Sequence, residues 1–178
     1  MSTTKPWGLL AQYENPAAVF HACETVRDAG YQSWDACTPF PVHGLDKAMG
    51  LKSSKLPWAV LAVGVTGSSL ALFFQSWAMG NAYPFIVGGK PLFSLPAFVP
   101  IWYELTVLSS CVTAFLANWI INGLPQPYHP AFASKAFERV TDDKFFIMIE
   151  SSDPKFDLEA TRALLKKTGA TLVEELQP

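Results

Sequence analysis

The strongest constraint on this chain is where its charges stop. No charged residue lies between Lys55 and Lys90, and from Pro91 to Ser134 only Glu104 is charged. Charged residues make up 16% of the sequence, so the gap is a matter of placement rather than scarcity. Inside it, 57–79 (PWAVLAVGVTGSSLALFFQSWAM) and 101–121 (IWYELTVLSSCVTAFLANWII) are nearly unbroken apolar runs. Each is roughly 20 residues, which at about 1.5 Å per residue covers the ~30 Å hydrocarbon core of a bilayer. Two buried core helices of a soluble protein are the alternative. The flanking charges favour spans: Lys47, Lys52 and Lys55 precede the first run, Lys135, Arg139 and Lys144 follow the second, and the connecting loop holds Lys90 alone. By the positive-inside rule, both termini are expected in the cytoplasm and the loop 80–100 outside. The opening MSTTKPWGLLAQYENP lacks the apolar stretch of a signal peptide, so no cleavage is expected there.

The two polar ends share a plan. At the front, WGLLAQY reads as a strand, Asn15 as an N-cap with Pro16 at the first helical position, and Val19, Phe20, Cys23 and Val26 as one apolar helical face. Gly30 can stop that helix, and YQSWDAC reads as a second strand. At the back, KFFIMIES is a strand and LEATRALLKKTG a helix with Leu158, Leu164 and Leu165 inward, capped by Asp153 or Asp157. ATLVEEL closes as a strand. Two β-α-β units predict an α+β membrane protein. Its ferredoxin-like, split β-α-β cytoplasmic domain, a four-stranded antiparallel sheet with both helices on one face, is interrupted by a two-helix transmembrane hairpin. The expected boundaries are 1–50 and 124–178 for the two halves of that domain and 51–123 for the hairpin.

Between the second strand and the first span lies TPFPVHGLDKAMGLKSSKLPW. Pro39 and Pro41 make its start stiff and extended, Gly44 permits a turn, and LDKAMG can form one helical turn near the membrane surface. Trp58 suits the interfacial belt. Asp35, Cys37 and His43 could be taken for a metal or catalytic cluster, but the paired ligands at short spacing that zinc sites use are missing. The stretch reads as an elbow of Pro39, Pro41, His43 and Gly44 leading to Trp58, and His129 stands at the mirror position on the return, so the two connectors are expected to meet. Cys23, Cys37 and Cys111 show neither a Cys-x-x-Cys nor a haem-attachment spacing and read as packing residues. A net charge of −2 offers no basic field for nucleic acid.

Within the spans, Gly64, Gly67, Ser68 and Ala71 on the first and Ser110, Ala114 and Ala117 on the second place small residues at helical spacing, which lets helices approach closely in lipid. One face is expected to close the hairpin and another to dock on a larger subunit. Gln75 and Asn118 are expected to hydrogen-bond between helices. Glu104, about one turn inside the second run after Pro100, reads as a structural carboxylate rather than a proton relay. The outer loop, with Pro84, Gly88, Gly89, Pro91, Pro96 and Pro100 among Tyr83, Phe85, Phe93 and Phe98, is too apolar for a free linker.

Four stretches together, AGYQSWDACTPFPVHGLDKAMGL, YPFIVGGKPLFSLPAFVPIWYELTVL, NGLPQPYHPAF and DDKFFIMIESSDPKFDLEATRALLKKTGA, resemble the ActD family of bacterial alternative complex III, the quinol:cytochrome c oxidoreductase. The resemblance implies an inner-membrane respiratory or photosynthetic subunit without a cofactor of its own. Its implied partners are polytopic quinol-binding membrane subunits, a multihaem cytochrome c subunit and an iron–sulfur subunit, so haem c and iron–sulfur clusters belong to those partners. The expected role is to stabilise or position the quinol-oxidising core. A stand-alone membrane enzyme would need a nucleophile with its base, a metal set or a phosphate-cradling loop, and VGVTGSS lacks the lysine of such a loop. A membrane-anchored sensor with a ligand-binding ferredoxin-like domain is the other alternative.

Overall fold

A computed structural model describes residues 6–177; the first five residues of the stretch expected to escape cleavage lie outside them. Two compact units emerge: the described residues up to Lys52 together with those from Pro127 form one, and Ser53–Gln126 form the other.

The first unit is a sheet with helices. In chain order it contains β1 (Gly8–Tyr13), α1 (Pro16–Ala29), β2 (Trp34–Cys37) and a short α2 (Leu45–Met49). After the second unit come β3 (Phe145–Glu150), α5 (Leu158–Lys167) and β4 (Leu172–Leu176). The strand order is β2-β3-β1-β4, with every neighbouring pair antiparallel. The two central strands come from opposite ends of the sequence, paired from Gly8 with Glu150 to Tyr13 with Phe145. Neither end of the chain can therefore build this sheet alone. Gly8 has no room for a side chain, because a Cβ would collide with the Ile149 carbonyl.

Period-two alternation sorts the strand residues onto two faces. Leu9, Ala11, Tyr13, Phe145, Ile147 and Ile149 pack with Val19, Ala22, Cys23 and Val26 of α1 and Leu165 of α5. Leu10, Phe146, Met148 and Leu176 face the other way, covered by Ala131 and Phe137. Those two sit in 3-10 turns at Pro130–Ala133 and Phe137–Thr141, so the connector that the sequence marks only as a return path closes a second core.

The helix ends follow the sequence closely. Asn15 Oδ1 accepts from the Ala18 N–H at 2.8 Å, with Pro16 opening α1, and Gly30 ends it at φ +82°. The two candidate caps of α5 divide their work. Asp157 caps it, accepting from the Ala160 N–H at 2.8 Å. Asp153 accepts instead from the backbone N–H groups of Gln32 (2.5 Å), Ser33 (2.7 Å) and Lys155 (2.8 Å). It joins the chain entering β2 to the chain leaving β3. Burial opposes its ionisation, but the three N–H groups outweigh burial and hold its carboxyl below the usual carboxylate range.

The second unit is a helical hairpin. α3 (Leu56–Trp77) runs on through a π-helical turn at Ala78–Ala82, and α4 covers Leu95–Ile121. Each resulting helix is 27 residues long, with mean hydropathy 1.7 and 1.5. Only 11% and 0% of their most apolar windows are buried, so neither is the core helix of a soluble protein. Both are long and apolar enough to cross a membrane.

The second helix starts earlier than its sequence suggests. The apolar run puts the start at Ile101 and the loop at 80–100, whereas α4 begins at Leu95 and only 83–94 is free of helix. Pro96 lies in the first turn, where a missing N–H costs nothing. Pro100 is inside the helix and withholds only the bond to the Pro96 carbonyl.

Candidate functional site

Among the described residues, no set of three His, Cys, Asp or Glu side chains is placed to hold a metal ion. Asp35 Oδ1 accepts from the Ala36 N–H at 2.8 Å, Cys37 packs against the second core, and Val42, beside His43, packs against the first. Asp35 and Cys37, two residues apart, share one face of β2, and His43 lies beyond the end of that strand. Burial pushes the Cys23 thiol up to about 12 and the Cys37 thiol up to about 11, so neither is a thiolate at neutral pH. These cysteines pack on opposite faces of one sheet.

The elbow is a built structure. Thr38 Oγ1 donates to the Phe40 carbonyl at 2.8 Å, and the Phe40 ring meets Phe145 edge-on at 5.5 Å, anchoring the segment that holds Pro39 and Pro41. Gly44 turns the chain at φ +80° with the Phe20 ring beside it. α2 then lies on α1 through Leu45 and Ala48. Arg27 donates from its Nη1 to the carbonyls of Lys47 (3.1 Å) and Ala48 (3.0 Å), satisfying two carbonyls at the C-terminal end of α2. No local sequence signal marks this use of Arg27, since the contact spans 20 residues.

His129 belongs to the other connector. Its Nδ1 accepts from the Ala131 N–H at 3.2 Å, and its ring packs edge-on against Trp7 at 4.7 Å. Trp7, which the His129 ring meets, packs with the second core, and Val42, on the first connector, packs with the first core. Trp58, the last elbow residue, opens α3 and is exposed.

In the hairpin, the small residues form the seam. A Cβ on Gly64 would stand 2.6 Å from Ser110 Oγ, and one on Gly67 would collide with Ser109 Oγ. Trp102 Nε1 donates to Ser68 Oγ at 2.6 Å across the seam, and with Gly64 facing Ser110 the contacts run in reversed order, as antiparallel helices require. Ala71 and Phe98 are buried, while Ala114 and Ala117 are half-buried farther along. Trp102 and Ser109 are seam residues that the small-residue pattern alone does not pick out. For Trp102 the signal is present all the same: Phe98, Trp102, Thr106 and Ser110 recur every four residues, the spacing of one helical stripe.

The hydrogen bonds expected between helices at Gln75 and Asn118 are local instead. Gln75 Nε2 donates to the Ala71 carbonyl at 3.2 Å, and Asn122 Nδ2 donates to Asn118 Oδ1 at 2.9 Å. Each bond stays within its own segment of chain, because i,i+4 neighbours lie closer than the facing helix.

Away from the seam, both helices are clad in large apolar side chains. Leu61, Leu70, Phe73 and Phe74 on α3 and Val107, Leu108, Phe115 and Ile120 on α4 are all exposed. Glu104 lies on this outward side in a shallow concavity with Pro100, Tyr103, Val107, Leu108 and Cys111. Its carboxylate has no hydrogen-bond or ion-pair partner among the described residues.

The hairpin thus presents an outward surface of large apolar side chains. The profile of the family described as alternative complex III, ActD subunit, matches residues 7–175, nearly the whole chain and both units. No curated protein matches it. A match running through sheet and hairpin alike is decisive: the chain belongs to the ActD family of alternative complex III subunits.

Proposed function

We propose that this chain is a noncatalytic, two-span membrane subunit that stabilises or positions the quinol-oxidising core of alternative complex III. The observation that carries this reading is the outward surface of the hairpin, two helices of 27 residues on which most large apolar side chains are exposed among the described residues. Water would oppose such a surface; lipid and neighbouring spans accept it. The placement of Cys23 and Cys37 on opposite faces of the sheet supports a subunit that carries no haem or cluster, leaving those groups to cytochrome and iron–sulfur partners. The lysines before the first span and the basic residues after the second support cytoplasmic termini. Strand order β2-β3-β1-β4, with α1 and α5 on one face, supports the ferredoxin-like reading of the sheet unit.

The test is to tag the C-terminus in the native host, extract in mild detergent and assay what co-purifies. Covalent haem, iron–sulfur protein and quinol:cytochrome c activity in one peak is the expected result. A chain that elutes alone or only with itself in several mild detergents would overturn the proposal and favour a sensor.

A further inference from the structure

Glu104 poses a problem that the chain does not solve for itself. Because α4 begins at Leu95, Glu104 comes nine residues into the helix, about 14 Å along its axis and not one turn from its end. The helix midpoint, Leu108, is only four residues, or about 6 Å, farther on. At that depth a side chain on the outward face meets hydrocarbon unless protein covers it, and an uncovered carboxylate is expensive there. The same stripe of α4 carries Pro96, Pro100 and Glu104, at i, i+4 and i+8. Pro100 has no N–H, so the Pro96 carbonyl also lacks its usual donor. One outward stripe thus offers a carboxylate and a carbonyl, both acceptors, and supplies no charged donor. The concavity around Glu104 is otherwise walled by Pro100, Tyr103, Val107, Leu108 and Cys111, whose contact surface is mainly apolar.

We infer that the Glu104 stripe of α4 is a docking surface for one spanning helix of another subunit, which brings a lysine or arginine to the carboxylate. The partner is defined by complementarity: an apolar helix fills the concavity, and its cation supplies the donors that this stripe lacks. Glu104 is a positioning residue in this account, acting on attachment rather than on the electron-transfer chemistry. The inference rests on the proposed membrane-subunit reading and adds to it which face is covered and by what chemistry.

The experiment uses the tagged full chain in its native membrane. A photoreactive phenylalanine analogue at Val107, one turn from Glu104 and exposed, should yield an adduct with a spanning segment of another subunit that contains a Lys or Arg. Glu104→Leu should lower the fraction of chain retained in the complex about three- to tenfold, the scale of polar contacts between helices in lipid. Glu104→Lys should lower it further, Glu104→Gln less, and turnover per assembled complex should stay at the wild-type level for all three. An adduct with lipid only, wild-type retention of Glu104→Leu, or lost turnover in fully assembled Glu104→Gln complex would each overturn the inference. If the wild-type chain co-purifies and the Val107 adduct is lipid, this inference alone falls. If the wild-type chain does not co-purify, both fall.

Discussion

Ile147 and Ile120 carry the same side chain and meet opposite fates: Ile147, in the central strand β3, is fully buried, while Ile120, near the end of α4, is 78% exposed. The contrast extends to their units. The sheet unit covers both of its faces from within, using α1 and α5 on one side and the 3-10 turns around Ala131 and Phe137 on the other. The hairpin buries Gly64, Ala71, Gln75 and Phe98 and turns most of its large apolar side chains out. One unit is folded for water and the other for surroundings that cover its surface. The difference shows where the energy of each resides: in the sheet, in apolar area removed from water; in the hairpin, in close contact at the seam and in whatever lies outside it.

The largest effect that could break the comparison is at Ile147 itself. Ile147→Ala should cost about 2–5 kcal/mol in the sheet unit, read as lost hydrogen-exchange protection of β3 in the detergent-solubilised chain. Ile120→Ala should stay within about 0.5 kcal/mol. Equal losses at the two positions would mean that the hairpin surface is already covered by the chain.

A second test sharpens the account of the seam. The Cβ of a residue at position 64 would lie 3.9 Å from Ser110 Cβ, within the range of a disulfide. Gly64→Cys with Ser110→Cys, in a Cys111→Ala background, should cross-link in high yield on mild oxidation. Adding Gly67→Leu, which drives a side chain into Ser109, should cost about 1–3 kcal/mol by overpacking and lower that yield. An unchanged yield would mean that the helices pack on another face.

Asp153 tests the water-facing unit by charge. Asp153→Ala strips the partners from three backbone N–H groups and should cost about 1–3 kcal/mol. Its folded pKa is depressed, so its contribution is fully present above the unfolded value of about 3.9 and is lost as pH falls through the lower folded value. The unfolding midpoints of the wild type and Asp153→Asn should therefore converge on acidification below about pH 4. A gap independent of pH would remove the charge from the explanation. The smallest loss expected at a bonded position belongs to Trp102→Phe, which deletes the donor to Ser68 and should cost about 0.6 kcal/mol, measured as a lower yield of the same engineered disulfide.

What is legible in the sequence is local. Asn15 and Pro16 announce the start of α1, Gly30 its end, and the charge gap announces the two long helices. The family, too, is legible, in strings such as TPFPVHG. Long-range uses of ordinary residues are not. Asp153 looks like any aspartate before a proline, and its partners at Gln32 and Ser33 lie about 120 residues away. The start of α4 misleads because a proline's meaning depends on its distance from the helix end, which composition does not mark. Glu104 stands out in the sequence as unusual, but its depth depends on that same start.

The most direct test of the central claim, that the hairpin crosses the membrane while the sheet unit stays inside, is thiol accessibility in intact cells. With a membrane-impermeant reagent, Gly89→Cys in the loop should label from outside, and Lys166→Cys near the end of α5 should label only after the membrane is opened. Labelling of Lys166→Cys in intact cells, or of Gly89→Cys only after permeabilisation, would contradict the account.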